Sequence, residues 1–322
     1  MPLSLLDRYR GAMIGVHAGD SLAAPYENQE PETITRDIVR RGGLVPFEYL
    51  DPWGIAGVCP AGRPTDDSIL TAALAQSLIE CKGSDPAHQY RYFKRAVGGK
   101  QSFLWGHETT TFGRTTRLML KSANYARACE RPDRPVGKSN GSLMRSVPLV
   151  LWYHKRNRWA LIQAVAKSSM VTHLHVAATE SCKVYVTMLD FLLRGDSPSE
   201  AWKWTRQFRS GVKDESLQRL LRPHTLPVPE ATNVWLRDTN PAGLAGSALH
   251  TLHIAIWSTL HAIDFQDGII KAVAFGGDTD TQCAVAGGLL GAYFGIESIP
   301  SEWRSVLKGG DRMISLADQL HG

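Results

Sequence analysis

The stretch AVAFGGDTDTQCAVAGGLLGAYFG, residues 272–295, decides the fold class. Two glycines precede two aspartates separated by one residue, and a long run of small and apolar residues follows. Gly276 and Gly277 permit a turn that a bulkier residue opposes. Acidic side chains suit the start of a helix, where free N–H groups need acceptors. The run from Cys283 to Phe294 is too apolar for a surface helix, so it predicts a helix inside the core. Holding Asp278, Asp280 and Thr281 at the mouth of such a helix costs desolvation unless something compensates the charge. A hard divalent cation would do so. A single acidic pair beside glycines is also common as a plain helix cap, and this stretch alone leaves both readings open.

A second stretch repeats the pattern two hundred residues earlier. In GRPTDDSILTAALAQSLIECKG, residues 62–83, Thr65, Asp66 and Asp67 stand directly before Ile69, Leu70, Ala73, Leu74, Leu78 and Ile79, which recur at helical spacing. One acceptor suffices for a cap, and here three oxygen-bearing side chains come in a row. If the two clusters meet, four carboxylates share one site, and they cannot all be ionised there without cations. All-oxygen ligands favour magnesium, manganese or calcium over zinc.

Working outward, residues 4–24 predict a first helix, rich in Gly and Ala, which permits close helix approach. Its one acid inside the tight stretch, Asp20, is either a local cap or a partner for something in a pocket. Residues 27–63 hold four prolines and many glycines and read as one long irregular segment. Helices are expected over 85–97, 109–122, 159–170, 176–193, 244–260 and 269–275, with two short ones between 196 and 241 and one more at the end of the chain. In the loop around SNGSLMR, residues 139–145, Gly141 and Ser142 offer backbone N–H groups to an anion. Arg145 lies in an apolar run, where it snorkels, meets a buried acid or meets a ligand phosphate. His173 and His175 read as histidines at a helix start rather than zinc ligands. Sustained period-two alternation is absent, so the whole predicts an all-α protein forming a single domain over residues 1–322.

Composition narrows the class. The 322 residues are 43% hydrophobic and carry a net charge of +5, with Arg and Lys scattered rather than clustered. That gives no clear nucleic-acid footprint and is compatible with an anionic small molecule. Five cysteines without a CxxC pair fit a reduced, cytoplasmic setting. No window is long and apolar enough to predict a membrane span.

Five segments together carry a specific resemblance: GAMIGVHAGDSLAAPYE (residues 11–27), PTDDS (64–68), SNGSLMR (139–145), VTH (171–173) and GGDTDT (276–281). The chain resembles the ADP-ribosylglycohydrolase family, with these segments in family order from end to end. The resemblance implies a compact orthogonal helical bundle with a binuclear Mg2+ or Mn2+ site. Its ligands would be Thr65, Asp66, Asp67, Asp278, Asp280 and Thr281, with Asp20 behind them. Ser68 stands where the family often has Thr. Asn140, Gly141, Ser142, Met144 and Arg145 would line the pyrophosphate or ribose region, Arg145 bracing the loop as the alternative, and His173 would flank the cleft.

The activity so implied is release of ADP-ribose from a modified side chain, arginine-linked for preference, or from a small ADP-ribosyl adduct. Asp66 or Asp280 would be both ligand and general base, with Glu30, Glu32 or Glu48 as further candidates for proton transfer. The rival expectations are a hydrolase of another nucleotide-like substrate, and a non-catalytic or immunity-type binder of ADP-ribose or of an ADP-ribosylating toxin.

Overall fold

The computed structural model describes residues 3–52, 54, 56–106, 111–134, 136–222 and 246–322, and among these sixteen α-helices make up most of the chain. In chain order they are α1 (Leu5–Ala23), α2 (Pro31–Arg41), α3 (Asp66–Cys81), α4 (Pro86–Val97), α5 (Arg114–Met119) and α6 (Tyr125–Glu130). Then follow α7 (Val147–Tyr153), α8 (Arg158–Ser169), α9 (Val176–Leu193), α10 (Pro198–Thr205) and α11 (Glu215–Leu220). The last five are α12 (Ala248–His261), α13 (Phe265–Val273), α14 (Thr279–Phe294), α15 (Ser301–Val306) and α16 (Gly310–His321). The fold is all-α, as the sequence predicts. Its β content among the described residues is one antiparallel pair, β1 (Tyr49–Leu50) with β2 (Val58–Cys59), in which Tyr49 faces Cys59.

The centre of the bundle is α14. Every residue from Thr279 to Ala292 is buried, because a helix without a polar face is stable only when covered on all sides. Helix α1 lies antiparallel along it at a separation that only glycine allows. A Cβ added at Gly15 would lie 2.1 Å from the Gly287 carbonyl oxygen, and one at Gly11 2.2 Å from that of Gly291. At Gly19 the distance to the Cys283 carbonyl oxygen would be 2.0 Å. Glycines four apart repeat on one face of each helix, so the two backbones touch along their length. Around this pair, α13 packs on α14 through Ile269, Ala272 and Val273, while α3, α9 and α12 complete the core.

Several boundaries differ from those read in the sequence. The segment 27–63 is not irregular throughout: α2 occupies residues 31–41. Pro31 sits at its first turn, Gly42 closes it at φ 75°, and Ile34 is buried with Ile38 one turn on. That is an ordinary N-terminal proline and C-terminal glycine pattern, obscured by the prolines that follow. The helix expected over 109–122 is confined to α5, with the first two of its residues outside the described ones. Its threonines disfavour helix, and Gly113 serves as the cap. Helix α13 starts four residues earlier than expected because Asp264 caps it by accepting the Asp267 N–H at 2.8 Å. The chain ends in two helices rather than one, broken at Gly309, whose φ is 88°. Of the region 196–241, α10 and α11 are the two short helices expected, and residues 223–245 lie outside the described ones. All five cysteines are free. Among the described residues, no helix is long and apolar enough to cross a membrane.

The glycine contact sets a sign. Replacing a glycine by alanine in an open helix interior stabilises by about 0.5–1 kcal/mol. Gly287→Ala places its Cβ 2.0 Å from the Gly15 carbonyl oxygen, and overpacking of that kind costs about 1–3 kcal/mol. Urea denaturation should therefore show Gly287→Ala less stable than wild type; an equal or higher midpoint would mean that the helices separate without cost.

Candidate metal centre and cleft

The close approach of α1 and α14 brings the C-terminal end of one beside the N-terminal start of the other. The Thr279 hydroxyl seals the junction by donating to the Ala23 carbonyl at 2.9 Å. Gly276 and Gly277, at φ 70° and 76°, make the turn that enters α14. The Asn28 N–H donates to the Gly277 carbonyl at 2.7 Å, so the residues after α1 are stitched to that turn. Asp20 and Glu27 are thereby carried to Asp278 and Asp280.

Helix α3 joins through Asp20, which is fully buried. Its carboxylate accepts the Thr65 N–H at 3.0 Å, the Thr65 hydroxyl at 2.7 Å and the Ser68 N–H at 3.1 Å, as well as the Ser68 hydroxyl. Thr65 is the N-cap of α3, with Asp66 and Asp67 in its first turn. Asp20 thus fixes the acidic end of α3, and Ser68 serves Asp20 rather than facing the cleft. Burial pushes the Asp20 carboxyl up, while the hydrogen bonds from Ser68 and Thr65 pull it back.

The two acidic clusters meet. Oxygens of Asp20, Asp67 and Asp280 lie within 4.8 Å of one another, and so do oxygens of Glu27, Asp278 and Asp280. Asp280 belongs to both groups. Thr65 Oγ1 is 3.2 Å and Thr281 Oγ1 3.5 Å from Asp67 Oδ2. Asp66 Oδ2 accepts the Gly113 N–H at 3.1 Å, and Asp278 Oδ2 accepts from Asn140 Nδ2 at 2.7 Å. Burial pushes the Asp66 carboxyl up to about 7, with the charges of Asp20 and Asp278 adding to it against the Gly113 hydrogen bond. Asp67 and Asp280 are raised well above the carboxylate range, first by burial and then by their acidic neighbours.

Asp67 Oδ1 is buried, with no hydrogen-bond partner among the described residues. An unpartnered carboxylate oxygen inside a protein is expensive. Here it lies among other carboxylates and hydroxyls, a donor set that suits hard divalent cations. The residues fit such ions in kind and in number.

Beside this cluster opens a cleft of 340 Å³. Thr65, Asp66, Asp278, Asp280 and Thr281 line it, as do Asn140, Gly141, Met144 and His173. Of the residues singled out in the sequence, Asp67 and Asp20 lie buried behind that lining. The side chains of Ser142 and Arg145 do not reach it. Ser142 Oγ bonds Ser169 Oγ at 2.9 Å and Cys182 Sγ at 3.4 Å. Arg145, 1% exposed, donates to the Gly141 carbonyl and to Thr172 Oγ1, both at 2.6 Å, and stacks 4.3 Å above the Phe93 ring. It braces the loop. Burial lowers its pKa to about 10.

The glutamate candidates need correction. Glu30, Glu32 and Glu48 are exposed and outside the lining. Glu27 lines the cleft instead, because Pro25 turns the chain through a short 3-10 turn, Ala24–Tyr26, straight after α1. The clue in the sequence was its position, seven residues after Asp20 in GDSLAAPYE. Residues 113–116 also line the cleft, a role that their place in the helix expected over 109–122 does not signal.

An all-α bundle that pools acids from both ends of its chain beside a cleft, with the SNGSLMR loop on its rim, defines a class. The chain belongs to the ADP-ribosylglycohydrolase family, which matches it over residues 1–322. It is similar to ADP-ribosylarginine hydrolase Tri1 of Serratia proteamaculans, 24% identical, across 98% of this chain and 79% of that one. It is similar as well to ADP-ribosylhydrolase ARH3 of Homo sapiens, 23% identical, across 98% and 93% of the two chains. A solved structure, ADP-ribosylglycohydrolase-related protein complex, aligns with a TM-score of 0.74 and 28% identity, covering 98% of each chain.

The raised carboxyls give the cation-free protein a defined pH response. Between the ordinary carboxylate range and about pH 7, the folded state keeps protons that the unfolded chain has lost, so these groups lower stability as pH rises. In chelator, Tm should fall from pH 5 to pH 7.5, and less steeply for Asp67→Asn. Mg2+ or Mn2+ should raise Tm more at pH 7.5 than at pH 5, because protons compete with the ions. A stabilisation by cation independent of pH would contradict this.

Proposed function

We propose that this protein is a divalent-cation-dependent hydrolase that removes ADP-ribose from a modified side chain by cleaving the anomeric bond, with the arginine linkage favoured. One observation carries the assignment: Asp66, Asp67, Asp278 and Asp280 converge with Asp20 and Glu27 beside a cleft also lined by Asn140, Gly141 and Met144. Family membership supplies the reaction class, and the arginine preference follows the likeness to the ADP-ribosylarginine hydrolases Tri1.

Thr65, Asp66, Asp67, Asp278, Asp280 and Thr281 would hold two cations, Mg2+ or Mn2+. Bound ions would supply fixed positive charge that orients the distal ribose hydroxyls and polarises the bond to be cut. Asp20 keeps Thr65 and the start of α3 in place. Asn140 orients Asp278, and the turn at Gly141 and Met144 receives the diphosphate or ribose region. Cleavage places the hydroxyl of water on the anomeric carbon and a proton on the departing nitrogen. Opening that centre develops oxocarbenium character, which the carboxylates of Asp66 and Asp280 stabilise. Glu27, at the cleft surface, is the group assigned to proton transfer, with Asp66 as the second candidate.

The test is release of free ADP-ribose from arginine-linked and serine-linked substrates in parallel, with Mg2+, with Mn2+ and with chelator. Cation-dependent release from the arginine linkage, abolished in Asp280→Asn, is expected. Glu27→Gln should lower kcat by about 100-fold or more while leaving KM close to wild type. No release from either linkage by folded, cation-loaded protein would overturn the assignment. Release from serine alone would overturn the arginine preference.

A further inference from the structure

Behind the cleft runs a chain of hydrogen bonds whose direction can be worked out from its first member. Arg145 Nη2 lies 2.6 Å from Thr172 Oγ1, which lies 2.8 Å from His173 Nδ1. His173 Nε2 lies 3.0 Å from Ser139 Oγ, and Ser139 Oγ donates to Thr115 Oγ1 at 3.3 Å. A guanidinium only donates. Thr172 therefore accepts from Arg145. Thr172 is 0% exposed, and among the described residues its hydroxyl proton has one remaining place to go, His173 Nδ1. That nitrogen is then an acceptor, the imidazole is neutral, and its proton is on Nε2. From there it donates to Ser139, whose own proton goes to Thr115. Burial keeps the His173 imidazole neutral, its pKa lowered to about 3, with the Arg145 charge adding to the effect.

The last oxygen has a hydrogen to spare. Thr115 Oγ1 accepts from Ser139, and no acceptor for its own hydrogen is present among the described residues. Thr115, Ser139 and His173 all line the cleft. We infer that Thr115 is a binding residue whose hydroxyl donates into the cleft, to a ligand oxygen that only accepts, and that Arg145, Thr172 and His173 are positioning residues that fix this polarity. The identity of the ligand as ADP-ribose rests on the proposed function; the tautomer of His173 does not. Reversal of any one link would turn Thr115 into an acceptor and set its lone pairs against the diphosphate or ribose oxygens.

Two measurements test this. Long-range 1H–15N correlation of the imidazoles in wild-type protein should show His173 with a bare Nδ1 and a protonated Nε2 from pH 5 to pH 8. In Thr172→Val that signature should be lost. A protonated Nδ1 in the wild type overturns the polarity, whatever the ligand. In calorimetric titration with ADP-ribose, Thr115→Val should raise Kd about tenfold, the size of one lost hydrogen bond to a charged or strongly polar oxygen. Thr115→Ser should restore it. His173→Gln, which keeps an acceptor and a donor on one side chain, should bind more tightly than His173→Leu. ADP run in parallel locates the bond: a loss for both ligands places it on the diphosphate, and a loss for ADP-ribose alone places it on the distal ribose. If wild-type protein fails to bind ADP-ribose, the proposed ligand falls and Thr115's role in holding it falls too. If wild type binds and Thr115→Val binds equally well, the role of Thr115 alone is overturned.

Discussion

The contact between the backbones of α1 and α14 is the constraint on which the rest of the structure depends. Gly11, Gly15 and Gly19 meet Gly291, Gly287 and Cys283 so closely that no Cβ fits at any of the glycines. Small residues in a helix interior cost propensity, and here they are repaid in position rather than in local stability. Two helices in backbone contact have one register. That register sets Asp20 opposite the entry to α14, and Asp20 then captures the start of α3 through Thr65 and Ser68. The acidic cluster therefore follows from helix packing.

The cluster itself works against folding. Asp20, Asp67 and Asp280 are buried together, and among the described residues no arginine or lysine is salt-bridged to them. Helix N-termini and hydroxyls offset part of the charge, as seen in the donors around Asp20. Asp67 Oδ1 is left with no partner among the described residues. A site that is unfavourable when cation-free and favourable when loaded links folding to binding. Arg145 shows the complementary economy, since it is a buried cation with no carboxylate bonded to it among the described residues, held by a carbonyl, a hydroxyl and the Phe93 ring.

Much of this was legible in the residues. The DTDT and TDD stretches, each ahead of an apolar run, announced both acidic helix starts, and the bounds of α9 came out as expected from its pattern. Long apolar helices write their own period. What stayed hidden depended on tertiary structure. Glu27 comes into the cluster through the turn after Pro25 and its stitching to Gly277, neither of which leaves a periodic trace. Segment 27–63 masked α2 because its prolines outweighed one short amphipathic turn pair, Ile34 and Ile38. Ser142 and Arg145 share a loop with Asn140 and Gly141, yet their side chains leave on the opposite side, and sequence proximity cannot tell inward from outward on an irregular turn.

The Thr279–Ala23 bond joins residues 256 positions apart. Helix α1 must therefore wait for α14 before its glycine face is covered. Until then the groove along Gly11, Gly15 and Gly19 is an open track, and Asp20 and Asp67 lack Asp280. A chain cut short before Asp278 lacks Asp278 and Asp280 and leaves α1 uncovered. Docking of α14 on α1 thus closes the core and completes the acidic cluster in one event.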